Sequence, residues 1–330
     1  MRRMIENLLV WLFDVFPKRL DIRVKYCFVV SFPVIIYKAY KKSFLNIHRQ
    51  PSVQFQKYYS ETKKKFHVDQ IPSEASDEQI CVRFSGGTDS TLAAATMAPK
   101  FKRVHLLTFN TTFKINLLGL SNSDPSNASA NADNLRRRFG EEKFVHRISN
   151  FGHLRNQIYF RDYLPHFPTR DFARVTFCPA CVMAMHIETI IYCLKNGIRY
   201  VSDGATIESG VLKWQTQNPY NMVEMRDFYK MFGLKYLINP NYYLMDSDKE
   251  LYRLGIIEKE SVRKRYHYRR KTQQYCILIQ FQSLCRRLHG RVGNSTASSF
   301  SEAGLISNYF RTKIPHYQQY IDSRVGKRRF

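Results

Sequence analysis

The chain has 330 residues, 44% of them hydrophobic, which is enough for a hydrophobic core in one large domain or two ordinary ones. It carries 52 Lys and Arg against 27 Asp and Glu, a net charge of +25 that suits a polyanionic partner better than a small acidic substrate. No apolar run approaches the roughly 20 residues of a transmembrane helix, which argues against a membrane-spanning protein.

The basic charge lies mainly in the two flanks. Residues 1–66 hold 14 basic and 4 acidic residues, and residues 261–330 hold 15 and 2, so the net charge of 67–260 is only +2. We expect a basic, mainly helical extension and linker at 1–77, a catalytic domain at 78–258 and a basic helical extension at 259–330. The alternative is that these charges only solubilise the flanks.

The N-terminal extension contains one apolar helical face, formed by Ile5, Leu8, Leu9, Leu12 and Phe13. A helix packed on its own domain is favoured over one that lies on a membrane surface. No secretory signal is visible, and seven cysteines are an odd number. We therefore expect a cytoplasmic, reducing environment, with metal or redox chemistry rather than disulfides.

The first predicted strand, 80–84, runs through a short glycine turn into a helix predicted at 89–98. Such a turn directs backbone N–H groups and the positive helix end to one point, which is a geometry that binds phosphate. Glycine lets the chain bend and the phosphate approach. The turn reads Ser85-Gly86-Gly87-Thr88-Asp89-Ser90, with hydroxyl donors at Ser85, Thr88 and Ser90 and a carboxylate suited to Mg2+ at Asp89.

This turn lacks the lysine of a P-loop kinase and the three spaced glycines of a dinucleotide fingerprint. It resembles instead the Ser-Gly-Gly-x-Asp-Ser signature of the PP-loop ATP pyrophosphatases. That family includes tRNA thiolation enzymes, tRNA lysidine synthetase, 7-cyano-7-deazaguanine synthase, NAD synthetase and the synthetase half of asparagine synthetase. Its members cleave ATP between the α and β phosphates and transfer AMP to a substrate oxygen. The resemblance covers residues 78–258.

The resemblance implies ATP and Mg2+ as cofactors and a Rossmann-like parallel sheet with helices on both faces, of the adenine nucleotide alpha hydrolase-like type. It also implies that the turn holds the pyrophosphate and that Thr108 and Phe109, at the end of strand two, contact the adenosine. The turn residues carried over are Ser85, Gly86, Gly87, Thr88, Asp89 and Ser90.

The remaining elements alternate between strand and helix. Strands are predicted at 104–109, 144–148, 199–202 and 236–238, and helices at 132–139 and from Cys178 to Lys195. The Ser- and Asn-rich stretch 116–131 is predicted as a loop, and 149–176 as a second irregular stretch. Strands that alternate with helices predict a parallel sheet whose ligand crevice lies beyond the carboxyl ends of the strands.

The turn after strand four reads Asp203-Gly204-Ala205-Thr206. Gly204 would permit close backbone approach to a nucleotide, and Asp203 could help to hold magnesium; the alternative is a capped turn with a solvated aspartate. Later, Asn239-Pro240 and Asp248-Lys249-Glu250-Leu251 resemble family landmarks, although Asp248 replaces the usual serine.

Two cysteines, Cys178 and Cys181, stand one helical turn apart at a helix start, where the helix dipole favours thiolates that can bind zinc or an iron–sulfur cluster. Cys276 and Cys285 could complete such a metal site. The pattern resembles the iron–sulfur subgroup of tRNA thiolation enzymes, although the residues that follow Cys181 differ. A dithiol that carries persulfide, or ordinary helix cysteines, are the alternatives. The remaining three cysteines, Cys27, Cys81 and Cys193, are predicted to lie in the core.

The C-terminal stretch 263–271 interleaves cations with aromatic residues, as binding to single-stranded nucleic acid requires, although a solvated basic face has the same composition. The function predicted from these features is ATP-dependent adenylation of a tRNA base, followed by sulfur transfer through Cys178 and Cys181. Its expected partners are tRNA and a sulfur donor protein. The alternatives are a PP-loop ligase that acts on a small molecule and contains structural zinc, and a module that senses nucleotide without turning it over.

Overall fold

A computed structural model of the chain describes residues 76–110, 125–162, 177–207, 217–244, 246–257 and 296–326, together with positions 60 and 64. The strands of this part are β1 (Ser76–Arg83), β2 (Phe101–Asn110), β3 (Phe144–Asn150), β4 (Tyr200–Asp203) and β5 (Lys235–Tyr236). Its helices are α1 (Thr88–Met97), α2 (Ser126–Phe139), α3 (Gly152–Asp162), α4 (Phe177–Asn196), α5 (Pro219–Lys230), α6 (Ser247–Arg253) and α7 (Thr296–Val325).

The five strands form one parallel sheet in the order β3-β2-β1-β4-β5. The chain proceeds outward from β1 to β3 and then returns to the other side of β1, so the strand order reverses between β1 and β4. Arg83 at the end of β1 is paired in register with Asp203 at the end of β4. The predicted parallel sheet flanked by helices is confirmed as an α/β, Rossmann-like fold. In such sheets, ligands bind beyond the carboxyl ends of the strands at this point of reversal.

The two faces of the sheet belong to separate hydrophobic cores because successive strand residues point to opposite sides. Ile80 and Val82 of β1, and Phe84 directly after it, pack on the side of α1, α2 and α6. Cys81 packs on the side of α4, α5 and α7. Both faces of β1 are therefore buried, as expected for the central strand of a parallel sheet.

The last helix, α7, contributes to the second core. Its buried side chains pack in the same cluster as those of α4 and α5, and they are Ile306, Tyr309, Phe310, Ile314, Tyr317 and Ile321. On its surface, Arg311 contacts Glu224 of α5 at 2.5 Å. Although α7 lies within the predicted basic extension 259–330, it is packed on the body of the domain.

Several element predictions need correction. The predicted loop 116–131 is wrong for 126–131, since α2 begins at Ser126. The predicted irregular stretch 149–176 contains α3, which buries Leu154 and Ile158 against the second core. Helices α5 and α6 were not predicted, and β1 begins at Ser76, inside the predicted linker. Along the described ranges, no helix combines the length and the apolar character needed to cross a membrane.

Candidate functional site

The turn between β1 and α1 places a helix start at the carboxyl edge of the sheet. Gly86 has a φ of +72°, a left-handed conformation that glycine adopts easily. Gly87 is the N-cap of α1, and the first hydrogen bond of the helix runs from the Thr91 N–H to the Gly87 carbonyl at 3.0 Å. The N–H groups of the first turn consequently precede the helical hydrogen-bond pattern and point out of the helix end, where an anion can accept from them.

The hydroxyl groups of the turn bond mainly to the turn itself. The buried Ser90 hydroxyl donates to the Gly87 carbonyl at 3.1 Å. Since that proton is committed, the Ser85 hydroxyl is the donor of the 3.1 Å bond to Ser90, and it accepts a longer 3.3 Å bond from the Gly87 N–H. Ser90 therefore shapes the turn through its hydroxyl.

Helix α2 begins against this turn. The side-chain amides of Asn127 and Asn131 donate to the Gly86 carbonyl at 2.8 and 2.7 Å. A Cβ atom at position 86 would stand 2.4 Å from the Ala128 Cα. Position 86 thus requires glycine for two reasons, the left-handed backbone and the contact with α2.

The loop after β4 meets the same turn from the other side. A Cβ atom on Gly204 would stand 2.5 Å from the backbone N and Cα of Ser90, so the two loops are in direct contact. Asn239, after β5, donates from its amide to the Ala205 carbonyl at 2.9 Å. The loops after β1 and β4 therefore converge at the carboxyl edge of the sheet. The close approach that Gly204 permits is to the protein backbone.

The carboxylate of Asp89 is held by α6. The Ser247 hydroxyl donates to Asp89 Oδ1 at 2.7 Å, and Asp246 caps α6 by accepting from the Lys249 N–H at 3.2 Å. In the landmark that Asp248-Lys249-Glu250-Leu251 resembles, a serine stands at the position of Asp248. It is instead the serine one residue earlier that reaches Asp89.

Below the turn, on the side of α4 and α5, the structure contains a buried polar network that sequence reasoning missed. Arg83 forms an ion pair with Asp203 Oδ2, which also accepts from the Tyr236 hydroxyl at 2.6 Å. Asp203 Oδ1 accepts from the Ala205 N–H at 2.9 Å. The other side of the Arg83 guanidinium donates to His186 Nε2 at 3.0 Å.

The protonation states of this network follow from its geometry. Because Arg83 donates to His186 Nε2, the ring is neutral and its Nδ1–H donates to the Tyr229 hydroxyl at 3.0 Å. Burial and the nearby Arg83 charge hold the pKa of His186 well below its usual value. Burial, followed by the charge of Asp203, raises the pKa of Tyr236 well above its usual value. Arg83 and Asp203 are therefore the only ionised pair among these side chains at neutral pH.

This network corrects the prediction for Asp203. The side chain is 6% exposed, so the alternative of a solvated aspartate is wrong. Both carboxylate oxygens accept from protein donors, which argues against the predicted magnesium role. A signal was present in the sequence: Arg83 is a single charge inside an apolar strand, and a buried charge needs a partner.

The side chains of Thr108 and Phe109 also have protein partners. The Thr108 hydroxyl donates to the Phe84 carbonyl at 2.8 Å and accepts from His146 Nε2 at 2.8 Å. Phe109 packs edge-on against Phe151, with ring centroids 5.3 Å apart. Both side chains thus make contacts within the protein, and the adenosine contact at the end of β2 stays a prediction.

Helix α4 brings the cysteine pair to the same edge of the sheet. His186 contacts Arg83 at the end of β1, whereas Cys193, further along α4, lies beside the free thiol of Cys81, two residues earlier in that strand. The helix thus runs antiparallel to β1. Its first turns, with Cys178 and Cys181, project toward the carboxyl edge of the sheet.

The predicted metal ligands are only partly within the described residues. Cys181 is a half-buried thiol, and Cys178 belongs to the first turn of α4. Cys276 and Cys285 lie outside the described residues, as does Cys27. In the part that the structure describes, no three His, Cys, Asp or Glu side chains are grouped closely enough to hold a metal ion. Cys81 and Cys193 are buried, which confirms their predicted place in the core.

Comparison with known proteins leaves the family open. No model of a protein family matches the chain, and no curated protein is significantly similar to it.

Proposed function

We propose that the chain binds ATP at the β1–α1 turn and transfers AMP to an oxygen atom of an acceptor, with release of pyrophosphate. The acceptor oxygen attacks the α-phosphorus, the bond to the oxygen that bridges the α and β phosphates breaks, and pyrophosphate is the leaving group. This proposal assigns the Rossmann-like fold to the adenine nucleotide alpha hydrolase-like class.

The observation that supports this proposal is the position of the turn. It ends the central strand at the point where the strand order reverses, and it directs the start of α1 into the crevice. The N–H groups of the turn and the helix dipole attract the negative charge that pyrophosphate carries as it leaves. Asp89, held by Ser247, is the carboxylate placed to bind Mg2+, which would neutralise part of that charge.

The products of ATP turnover test this proposal directly. We expect magnesium-dependent release of pyrophosphate and AMP once the acceptor is supplied. Asp89→Ala should abolish it, and Gly86→Val should block the turn sterically. Ser323→Ala, on the exposed surface of α7, serves as the control. Release of ADP and orthophosphate as the main products would contradict the proposal.

We further propose that the acceptor is a tRNA base and that Cys178 and Cys181 replace its activated oxygen with sulfur. A persulfide, delivered to one cysteine by a sulfur donor protein, attacks the carbon, and AMP departs with the oxygen. The second thiolate then attacks the Sγ atom of the first cysteine, and the bond between that Sγ and the sulfur now attached to the base breaks. This step releases the thiolated base and leaves a disulfide, which an external thiol reduces. The position of the start of α4 at the crevice supports this route.

Single cysteine variants separate the two half-reactions. Cys178→Ala and Cys181→Ala should each stop sulfur transfer while ATP binding and adenylation of the acceptor persist, since the phosphate-binding turn is a separate element. Cys193→Ala removes a buried thiol from the same helix and serves as the matched control. Sulfur transfer that survives in both variants would limit the function to adenylation.

The salt dependence of binding tests tRNA as the acceptor. Several phosphate contacts should make log affinity fall by roughly one unit per log unit of salt for each contact. Replacement of Arg263, Lys264, Arg265, Arg269 and Arg270 by glutamine should weaken tRNA binding and flatten this slope, while ATP binding is retained. Unchanged tRNA affinity would instead favour a small-molecule acceptor.

A further inference from the structure

We propose that Asn127 and Asn131 are positioning residues that orient the phosphate-binding turn through the Gly86 carbonyl. This inference rests on the proposed function, since it specifies how the turn is prepared for pyrophosphate. Neither residue belongs to the Ser-Gly-Gly-x-Asp-Ser motif, and both lie in a segment whose composition predicts a loop.

The argument begins with the planarity of the peptide bond. The described residues contain no cis peptide, so the Gly86 carbonyl and the Gly87 N–H point in opposite directions within one rigid plane. When the carbonyl direction is fixed, the direction of the N–H is fixed as well. Asn127 and Asn131 hold that carbonyl at 2.8 and 2.7 Å.

The opposite end of this peptide is only weakly held. The Gly87 N–H makes a 3.3 Å contact with the exposed Ser85 hydroxyl, which is long for such a bond. An anionic oxygen is a stronger acceptor than a hydroxyl group and can displace this contact. The peptide is therefore anchored firmly at its carbonyl and offers its N–H to a ligand.

The anchor is built into the body of the fold. Asn131 is 9% exposed, and its side-chain oxygen accepts from Asn134 at 3.3 Å. The adjacent Ala128 leaves no room for a Cβ on Gly86, so the turn cannot move toward α2. Both donors are neutral amides, which fix the backbone without placing a carboxylate beside the phosphates.

The shared acceptor predicts that the two asparagines are not additive. A carbonyl oxygen accepts two hydrogen bonds, so either single variant leaves it with one donor, whereas the double variant leaves it buried without one. We expect Asn127→Ala and Asn131→Ala each to weaken binding of ATP only about two- to threefold, and the double variant to weaken it by more than about tenfold.

The experiment measures the affinities of the full chain for Mg-ATP, Mg-pyrophosphate and AMP. In the double variant, affinity for ATP and pyrophosphate should fall together while that for AMP is unchanged, since AMP lacks the two phosphates held by the turn. A loss of AMP affinity in parallel, with a lowered unfolding temperature, would show a structural role only and overturn the inference. Ser129→Ala, elsewhere on α2, is the matched control.

Further outcomes separate a failure of this inference from a failure of the proposed function. If replacement of Asn131 by alanine prevents folding, Asn127→Ala combined with Asn131→Leu keeps the buried volume and removes both donors without adding a charge. Unchanged pyrophosphate affinity in that variant, or single effects that simply add, would overturn the shared-carbonyl arrangement. If the parent chain binds neither ATP nor pyrophosphate, the proposed function itself is wrong. If the parent chain and the double variant both bind ATP and pyrophosphate normally, only the positioning role is refuted.

Discussion

The two faces of the sheet hold the same turn by different means. On the side of α1, α2 and α6, neutral amides and hydroxyls bond to the backbone and to Asp89. On the side of α4 and α5, a buried ion pair, Arg83 with Asp203, joins the ends of β1 and β4. On the side of α4 and α5, the charges of Arg83 and Asp203 neutralise each other. On the opposite side, the groups that donate to the turn are neutral, so the positive potential at the start of α1 remains available to an anion.

The ion pair should give the largest effect on stability. Asp203→Asn or Arg83→Met leaves an unpaired buried charge, which should lower the free energy of unfolding by about 3–5 kcal/mol. The double variant should lose less than the sum of the two, because each single change includes the cost of the charge left behind. Urea unfolding measures all three variants. Additive losses would show that the pair is not coupled and that the two faces do not differ as described.

The next effect concerns the contact between the two loops. Gly204→Ala should cost about 1–3 kcal/mol of unfolding free energy, because its Cβ would overlap the backbone of Ser90. Gly255→Ala is the matched control. Gly255 has a φ of +69° and nothing within 4 Å of an added Cβ, so alanine there bears only the backbone cost of about 1 kcal/mol. Equal losses of unfolding free energy in Gly204→Ala and Gly255→Ala would mean that the two loops shift enough to accommodate the added Cβ.

Two buried histidines on the charged face should make the stability of the fold sensitive to acid. Burial, with a smaller contribution from Arg103, lowers the pKa of His105 to about 4, and burial with the nearby Arg83 charge holds the pKa of His186 well below its usual value. The unfolded chain binds protons at these positions below about pH 6.5 and the folded chain does not, so stability should fall as the pH drops from about 6.5 to 4. His105→Gln should flatten this slope, and an unchanged slope would assign the acid sensitivity to other groups.

The smallest effect is expected on the neutral face. Ser247→Ala removes one hydroxyl donor from Asp89 and should lower kcat/KM for ATP by about two- to tenfold, with little change in stability. Steady-state pyrophosphate release gives the measurement. A loss as large as that of Asp89→Ala would mean that Ser247 contacts the nucleotide or its metal directly.

Much of the sheet could be predicted because buried parallel strands are continuous apolar runs. The strands predicted at 80–84, 104–109, 144–148 and 199–202 all correspond to strands of the sheet. The start of α2 could not be predicted, because Ser and Asn favour loops when only their local hydrogen bonds are considered. Here Asn127 and Asn131 bond instead to a carbonyl more than 40 residues earlier in the sequence.

In the candidate site, too, only the features with a local sequence signal could be predicted. The glycine turn is a local signal, since the backbone conformation it needs is encoded within a few residues. The partners of the turn are not local: Gly204 meets Ser90, and Ser247 reaches Asp89, only through the fold. Asp203 shows the limit most clearly, because its partner Arg83 is 120 residues away in the sequence.

The placement of α7 bears on how this protein is made in the cell. The ribosome synthesises α4 and α5 well before α7, yet their apolar faces are covered by Tyr309, Phe310 and Tyr317 of that last helix. A nascent chain that has completed the sheet still exposes this surface until α7 emerges. Chaperone capture during translation should therefore be strongest in that interval, and a premature stop before α7 should yield an aggregation-prone product even though the phosphate-binding turn is complete.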